Sequence, residues 1–151
     1  MTKKIIGVIG GGRCSTEIAQ LAEEVGKGIA ENHALLVCGG LTGVMEAACR
    51  GAKSKSGTTI GILPGSQKAD ANPFVDIAIA TGLGVARNLI IVRTADAVIA
   101  IDGEFGTLSE ISFCLKFQVP LIGLKTWSID PAMVVAESAD EAVKKVFELI
   151  S

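Results

Sequence analysis

The chain has 151 residues, 49% of them hydrophobic and 20% charged, with 14 basic against 16 acidic side chains and a net charge of −2. That length fits a single domain over residues 1–151, able to bury about 70% of the surface its unfolded form exposes without a disulfide or metal staple. The missing basic excess argues against electrostatic capture of nucleic acid. No apolar run reaches the about 18 residues of a membrane span, and residues 1–4 lead straight into a strand-like run rather than a signal-peptide core. The sequence therefore predicts a cytoplasmic protein with neither a nucleic-acid nor a membrane partner. Cys14, Cys38, Cys49 and Cys114 are too widely spaced for a zinc pattern, and there is 1 histidine; they predict reduced, mostly buried thiols and no metal site.

Residues 5–9 are apolar throughout and read as a strand covered on both faces. After Gly10, Gly11 and Gly12, the positions of Ile18, Leu21, Ala22, Val25 and Ile29 trace one helical face, capped by Ser15 or Thr16. A second strand over 35–38 ends at Gly39 and Gly40 and leads to a helix over 43–53. The third strand spans 58–63, and its polar sequel to Pro73 reads as a surface loop. A fourth strand over 77–80 passes through Thr81, Gly82, Leu83 and Gly84 into a helix carrying Val85, Leu89, Ile90 and Val92. Residues 97–101 form the clearest buried strand, followed by a helix over 107–117, a strand over 120–124, and a last helix. Ser138 and Glu141 form the capping box of that last helix, which buries Val143, Val146, Phe147 and Ile150. This alternation predicts a doubly wound α/β fold, a mainly parallel sheet of six or seven strands with helices on both faces.

Aromatic residues make up only 4% of the chain, tyrosine is missing, and glycine fills 18 positions, well above the usual share of about 7%. That balance calls for close backbone approach rather than bulky core anchors. The glycines cluster after strands, at 10–12, 39–43, 82–84 and 103–106. Any one such loop can merely turn a tight corner. Four on the carboxyl edge of a parallel sheet point instead to a phosphorylated ligand, because that edge carries the ligand crevice and the following helices offer free N–H groups. Two common phosphate fingerprints fail. Arg13 and Cys14 stand where a P-loop needs Lys and Ser or Thr; Ser15 replaces the third glycine of a dinucleotide motif, and no ribose-binding acid follows the second strand.

The fourth loop is the most informative. Gly106 and Thr107 open a helix, and Glu110 follows Thr107 by one turn on the same face. A phosphate at Thr107 would place its sugar near the Glu110 carboxylate, which could steady an oxocarbenium-like centre or activate water. A plain helix-terminal acid, favoured by the dipole by about 0.3–1 kcal/mol, is the competing reading.

Three segments carry a resemblance: Gly39-Gly40-Leu41-Thr42-Gly43-Val44-Met45, Arg87-Asn88, and Gly103-Glu104-Phe105-Gly106-Thr107-Leu108-Ser109-Glu110. They are similar to the Lonely-guy-like group of Rossmann-like nucleotide-binding proteins, often labelled lysine-decarboxylase-like, which includes molybdenum-cofactor carriers and more distant DNA-processing relatives. The similarity spans residues 5–125. It implies a nucleotide or nucleotide-like phosphate ligand, bound without catalysis or carried, with molybdenum cofactor as one such cargo and no cofactor required for the protein's own function. The alternative it implies is a phosphoribohydrolase that cleaves the N-glycosidic bond of nucleoside 5′-monophosphates. By resemblance the catalytic roles fall on Arg87 and Glu110, and the ligand contacts on Gly10, Gly11, Gly12, Arg13, Gly39, Gly40, Thr42, Gly43, Asn88, Gly103, Gly106 and Thr107.

This chain departs from the pattern in two places. Asp102-Gly103-Glu104 replaces the group's Pro-Gly-Gly, setting two carboxylates at or near the phosphate cradle, and Asn88 replaces a lysine. Ligand binding is accordingly better supported than catalysis. No lysine has a pyridoxal-phosphate setting, which rejects the decarboxylase label on chemical grounds.

Arg13 can contact phosphate or simply be solvated. His33, before the second strand, reads as a surface residue, and Trp127 as packing rather than a base-stacking platform. The helix carrying Leu108, Ile111, Phe113, Cys114, Leu115 and Phe117 is apolar nearly all round, which predicts a homo-oligomer, dimer or tetramer.

Overall fold

The computed structural model describes residues 2–151. Among the described residues there are seven strands: β1 Ile5–Gly10, β2 Leu35–Cys38, β3 Thr59–Leu63, β4 Ile77–Ala80, β5 Ala97–Ile101, β6 Leu121–Leu124 and β7 Val134–Ala136. They form a 7-stranded sheet in the order β4-β3-β2-β1-β5-β6-β7, and every pairing is parallel. The chain runs outward from β1 on one side and resumes at β5 on the other. A crevice therefore opens at the carboxyl ends of β1 and β5, the switch point of the topology.

Five helices cover the sheet: α1 Thr16–Glu31, α2 Val44–Ser54, α3 Arg87–Thr94, α4 Phe105–Lys116 and α5 Ala139–Ile150. The side-chain alternation of each strand sorts the core into two layers. Ile6, Val8, Leu36, Ile99 and Ile101 pack with Val25 and Ile29 of α1, Ala48 of α2, and Val143 and Val146 of α5. Ile9, Val37, Ile62, Val98 and Ala100 point the other way, onto Ile91 and Val92 of α3 and Ile111 and Cys114 of α4. Burial on both faces is what makes the strands read as unbroken apolar runs.

Several boundaries differ from the sequence reading. Strand β7 is a three-residue edge strand, too short for periodicity to announce. Val85 lies in the 3-10 turn Gly84–Ala86 and is 83% exposed, so the helix begins at Arg87. Helix α4 starts at Phe105, two residues early, because Glu104 takes the cap position without a side-chain bond. At α1 the cap is Ser15, whose hydroxyl accepts from the Ile18 N–H at 3.2 Å. At α5 Ser138 caps Glu141, while the Glu141 carboxylate closes on the Glu137 N–H at 3.0 Å rather than on Ser138 itself.

The segment after β3 is more than a surface loop, because Asn72 is buried and clamps the β2–α2 connection. Its backbone N–H donates to the Gly40 carbonyl at 2.9 Å and its side-chain N–H to the Leu41 carbonyl at 2.8 Å. The four cysteines are free thiols, buried except for half-buried Cys14, and His33 is exposed. Among the described residues, no helix is long and apolar enough to cross a membrane.

Candidate functional site

A cavity of about 640 Å³ lies in the switch-point crevice. The β1–α1 loop supplies Gly10, Gly11, Gly12 and Arg13, and the β2–α2 loop supplies Gly39 and Thr42. The start of α3 contributes Arg87 and Asn88, and the start of α4 contributes Gly106, Thr107 and Glu110. Gly10 and Glu110, 100 positions apart, thus line one space because parallel strands deliver all their carboxyl ends to one edge.

Three of the expected contacts do not line the cavity and instead shape its walls. Gly43 (φ 70°) and Gly103 (φ 101°) hold a left-handed backbone, and a Cβ there would strike the Gly11 carbonyl and the Thr107 side chain, respectively. Gly40 is placed below the surface, where a Cβ would meet Leu63. Asp102 is also absent from the lining; its carbonyl accepts from the Thr126 hydroxyl at 2.6 Å. Glu104 does line the cavity, as an exposed rim residue. The sequence reading missed Val8, Ile9, Leu41 and Met45, which give the cavity apolar walls. Leu41 and Met45 lie within the glycine-loop motif itself, and that neighbourhood was the available signal.

Arg87 is 9% exposed. Its Nε donates to the Ile62 carbonyl at 2.9 Å, Nη2 to the Gly39 carbonyl at 3.4 Å, and Nη1 to the Asn88 side-chain oxygen. Gly39 permits this seating, since a Cβ there would stand 2.6 Å from Nη2. No carboxylate lies within 4.0 Å of the guanidinium among the described residues. Burial lowers the Arg87 pKa, with Glu110 and Cys38 opposing; a guanidinium stays charged all the same. The cavity therefore holds a fixed cation that protein acceptors orient and no anion neutralises.

Glu110 faces the same space and is 7% exposed. Burial pushes its carboxyl up to about 8, against the pull of Arg87 and with a smaller push from Cys38. At neutral pH it is largely a neutral acid, able to donate a hydrogen bond. Beside it, the first backbone N–H groups of α4 have no partner within their own helix, and Leu108 is the first to bond back, to Glu104 at 2.9 Å. Two free donors on Arg87, the amides of Gly106 and Thr107, and the Thr107 hydroxyl belong to residues that line one cavity, a donor set chemically suited to an oxyanion. No group of three or more His, Cys, Asp or Glu side chains suited to a metal occurs among the described residues.

Trp127 stacks on Phe105 with ring centroids 6.4 Å apart, outside the cavity lining, and both rings are exposed at the surface.

The strand order and the cavity at its reversal define a Rossmann-like α/β protein. The chain belongs to the SLOG cluster4 family, whose sequence model matches residues 3–149. An uncharacterised protein of Archaeoglobus fulgidus is 48% identical over 138 residues, which cover 91% of both chains. The molybdenum cofactor binding protein from the phototrophic bacterium Rippkaea orientalis superposes with a TM-score of 0.95 at 38% identity, over 100% of this chain and 99% of that one. The molybdenum cofactor carrier protein of Chlamydomonas reinhardtii superposes with a TM-score of 0.89 at 35% identity, over 99% of each chain.

Proposed function

We propose that this protein binds or carries a phosphate-bearing, nucleotide-like small molecule without transforming it, and that molybdenum cofactor is its cargo. The observation that carries the reading is the buried Arg87, oriented by three protein acceptors, lacking a carboxylate partner, and set beside the first turn of α4. The remaining donors of such a cation are best matched by an oxyanion, which supplies both acceptors and the opposite charge. Molybdenum cofactor is a pterin that carries a phosphate. Its phosphate suits the cradle of Gly106, Thr107 and Arg87, and its flat ring suits the walls of Leu41, Met45, Val8 and Ile9. Likeness over nearly the full length to proteins named for that cofactor supports the same assignment.

The test is to purify the protein from a host that makes molybdenum cofactor and from one that cannot, then identify the released small molecules by mass spectrometry. A phosphorylated pterin from the first host alone supports the proposal; an unrelated ligand or none from both overturns it.

One observation favours the second reading, hydrolysis of nucleoside 5′-monophosphates. Glu110, raised to about 8, would suit a general acid near neutrality. Incubation with AMP separates the two, since only hydrolysis releases free adenine.

We also place a second copy of the chain over the open end of the α3/α4 face. Ile77 and Ile79 register with Ile60 and Ile62 of β3, yet remain half exposed because α3 and α4 make at most marginal contact with β4. Sedimentation at micromolar concentration should give a homo-oligomer.

A further inference from the structure

We infer that Asn88 and Ser109 are positioning residues that tie the Arg87 guanidinium to the first turn of α4, so that cation and amide cradle meet a ligand as one unit. The inference rests on reading the cavity as an oxyanion site.

The bonds form one continuous chain. Nη1 of Arg87 donates to the Asn88 side-chain oxygen, Nδ2 of Asn88 donates to the Ser109 hydroxyl at 3.3 Å, and that hydroxyl donates to the Gly106 carbonyl at 2.7 Å. Chemistry fixes every direction. A guanidinium has only donors, so it must meet the oxygen of the Asn88 amide, which turns the nitrogen toward Ser109. The hydroxyl accepts from that nitrogen and is left to donate to a carbonyl, which Gly106 provides. Gly106 itself lines the cavity, and its backbone N–H, in the first turn of α4, has no partner within the helix.

Asn88 is 3% exposed, and both ends of its amide are engaged. Supporting Arg87 is therefore its main work, although it touches the cavity wall. Ser109 does not line the cavity, so any effect it has on binding passes through Asn88 and Gly106. With the Ile62 and Gly39 carbonyls holding the rest of the guanidinium, the chain leaves one donor on each terminal nitrogen for a ligand. Loss of the Ser109 hydroxyl would free the Asn88 amide to rotate, and Arg87 would lose an acceptor that holds its plane.

Ser109→Ala and Ser109→Thr test this with two readouts, and thermal melting checks the fold of each variant. The first needs no ligand. In the arginine side-chain ¹⁵N spectrum, with Arg87 assigned by Arg87→Lys, the terminal NH signals of Arg87 should be resolved in the parent protein because rotation is hindered. They should merge in Ser109→Ala and stay resolved in Ser109→Thr. The second is calorimetric binding of AMP and adenosine. The parent should prefer AMP, Ser109→Ala should lose about tenfold of that preference, the worth of one charge-assisted bond, and Ser109→Thr should keep it. A merely helical role for Ser109 would lower the melting temperature and move neither readout. Resolved Arg87 signals in Ser109→Ala, or an unchanged AMP preference there, overturn the inference. If the parent binds AMP and adenosine alike, the phosphate reading of the cavity fails, and the ¹⁵N comparison still decides the relay.

Discussion

Two places in the molecule use glycine for the same geometric reason and to different ends. Where α1 crosses α2, Gly26 and Gly51 let the helices touch backbone to backbone. A Cβ on Gly26 would land on the Ala48 carbonyl, and one on Gly51 on the Glu23 carbonyl. At the cavity, the atoms nearest a Cβ on Gly39 would be side-chain atoms, Nη2 of Arg87 and Sδ of Met45, at 2.6 and 2.7 Å. Backbone cannot yield to a methyl group, whereas the ends of long side chains can. The first kind of glycine therefore holds stability, and the second holds the placement of the Arg87 guanidinium.

The sharpest way to break this comparison is a pair of alanine substitutions. Gly26→Ala should destabilise the protein by about 3 kcal/mol, the upper part of the overpacking range. In thermal melts that lowers the midpoint by about 2–4 °C per kcal/mol, with ligand affinity unchanged in the folded fraction. Gly39→Ala should act chiefly on binding: a smaller stability loss of about 1–2 kcal/mol as displaced Arg87 gives up hydrogen bonds to buried acceptors, and a tenfold or greater loss of AMP affinity as the cation leaves its place. Equal melting shifts for the two variants would show that the glycines do not divide in this way.

Glu110 sharpens the same contrast through pH. Its carboxyl is raised from the ordinary 4.5 to about 8 by burial, so between those values the folded state binds more protons than the unfolded one. Stability attributable to this group therefore falls as pH rises from about 4.5 to 8. Glu110→Gln should match the parent near pH 5 and exceed it at pH 8 by about 1–3 kcal/mol, the penalty of a buried unpaired group, as read by denaturant melts. A parent curve that stays flat across this window would place the carboxyl in water.

Thr107→Val should remove one charge-assisted hydrogen bond to a bound oxyanion, about 1.5 kcal/mol or tenfold in affinity, leaving adenosine binding unchanged. The smallest effect on the fold belongs to Ile79→Asp on the open sheet edge. It should leave the melting temperature of the monomer nearly unchanged while sedimentation shows the oligomer lost.

Much of the fold was legible in advance because it depends on local order. Apolar runs such as residues 97–101, punctuated by glycine and alternating with helical spacing, imply strands buried under helices on both faces. The misses are equally physical. Val134–Ala136 is too short for a period to emerge, and Val85 looked helical only because its exposure depends on where the chain turns after β4.

In the candidate site, the glycine loops, Thr107 and Glu110 stood out by residue type and spacing, and Arg87 through the family resemblance alone. Asn72 and Ser109 did not, since an asparagine in a polar loop and a serine on a helix carry no mark of their partners. The sequence alone thus determined the α/β architecture, the edge on which the glycines gather, and the family to which the motif is similar. Only the tertiary structure separated glycines that pack helices from glycines that seat Arg87. It also left that cation without a carboxylate and buried Glu110 deeply enough to hold its proton. Those properties depend on distance and on exclusion of water among residues that are remote along the chain, and no local pattern encodes them.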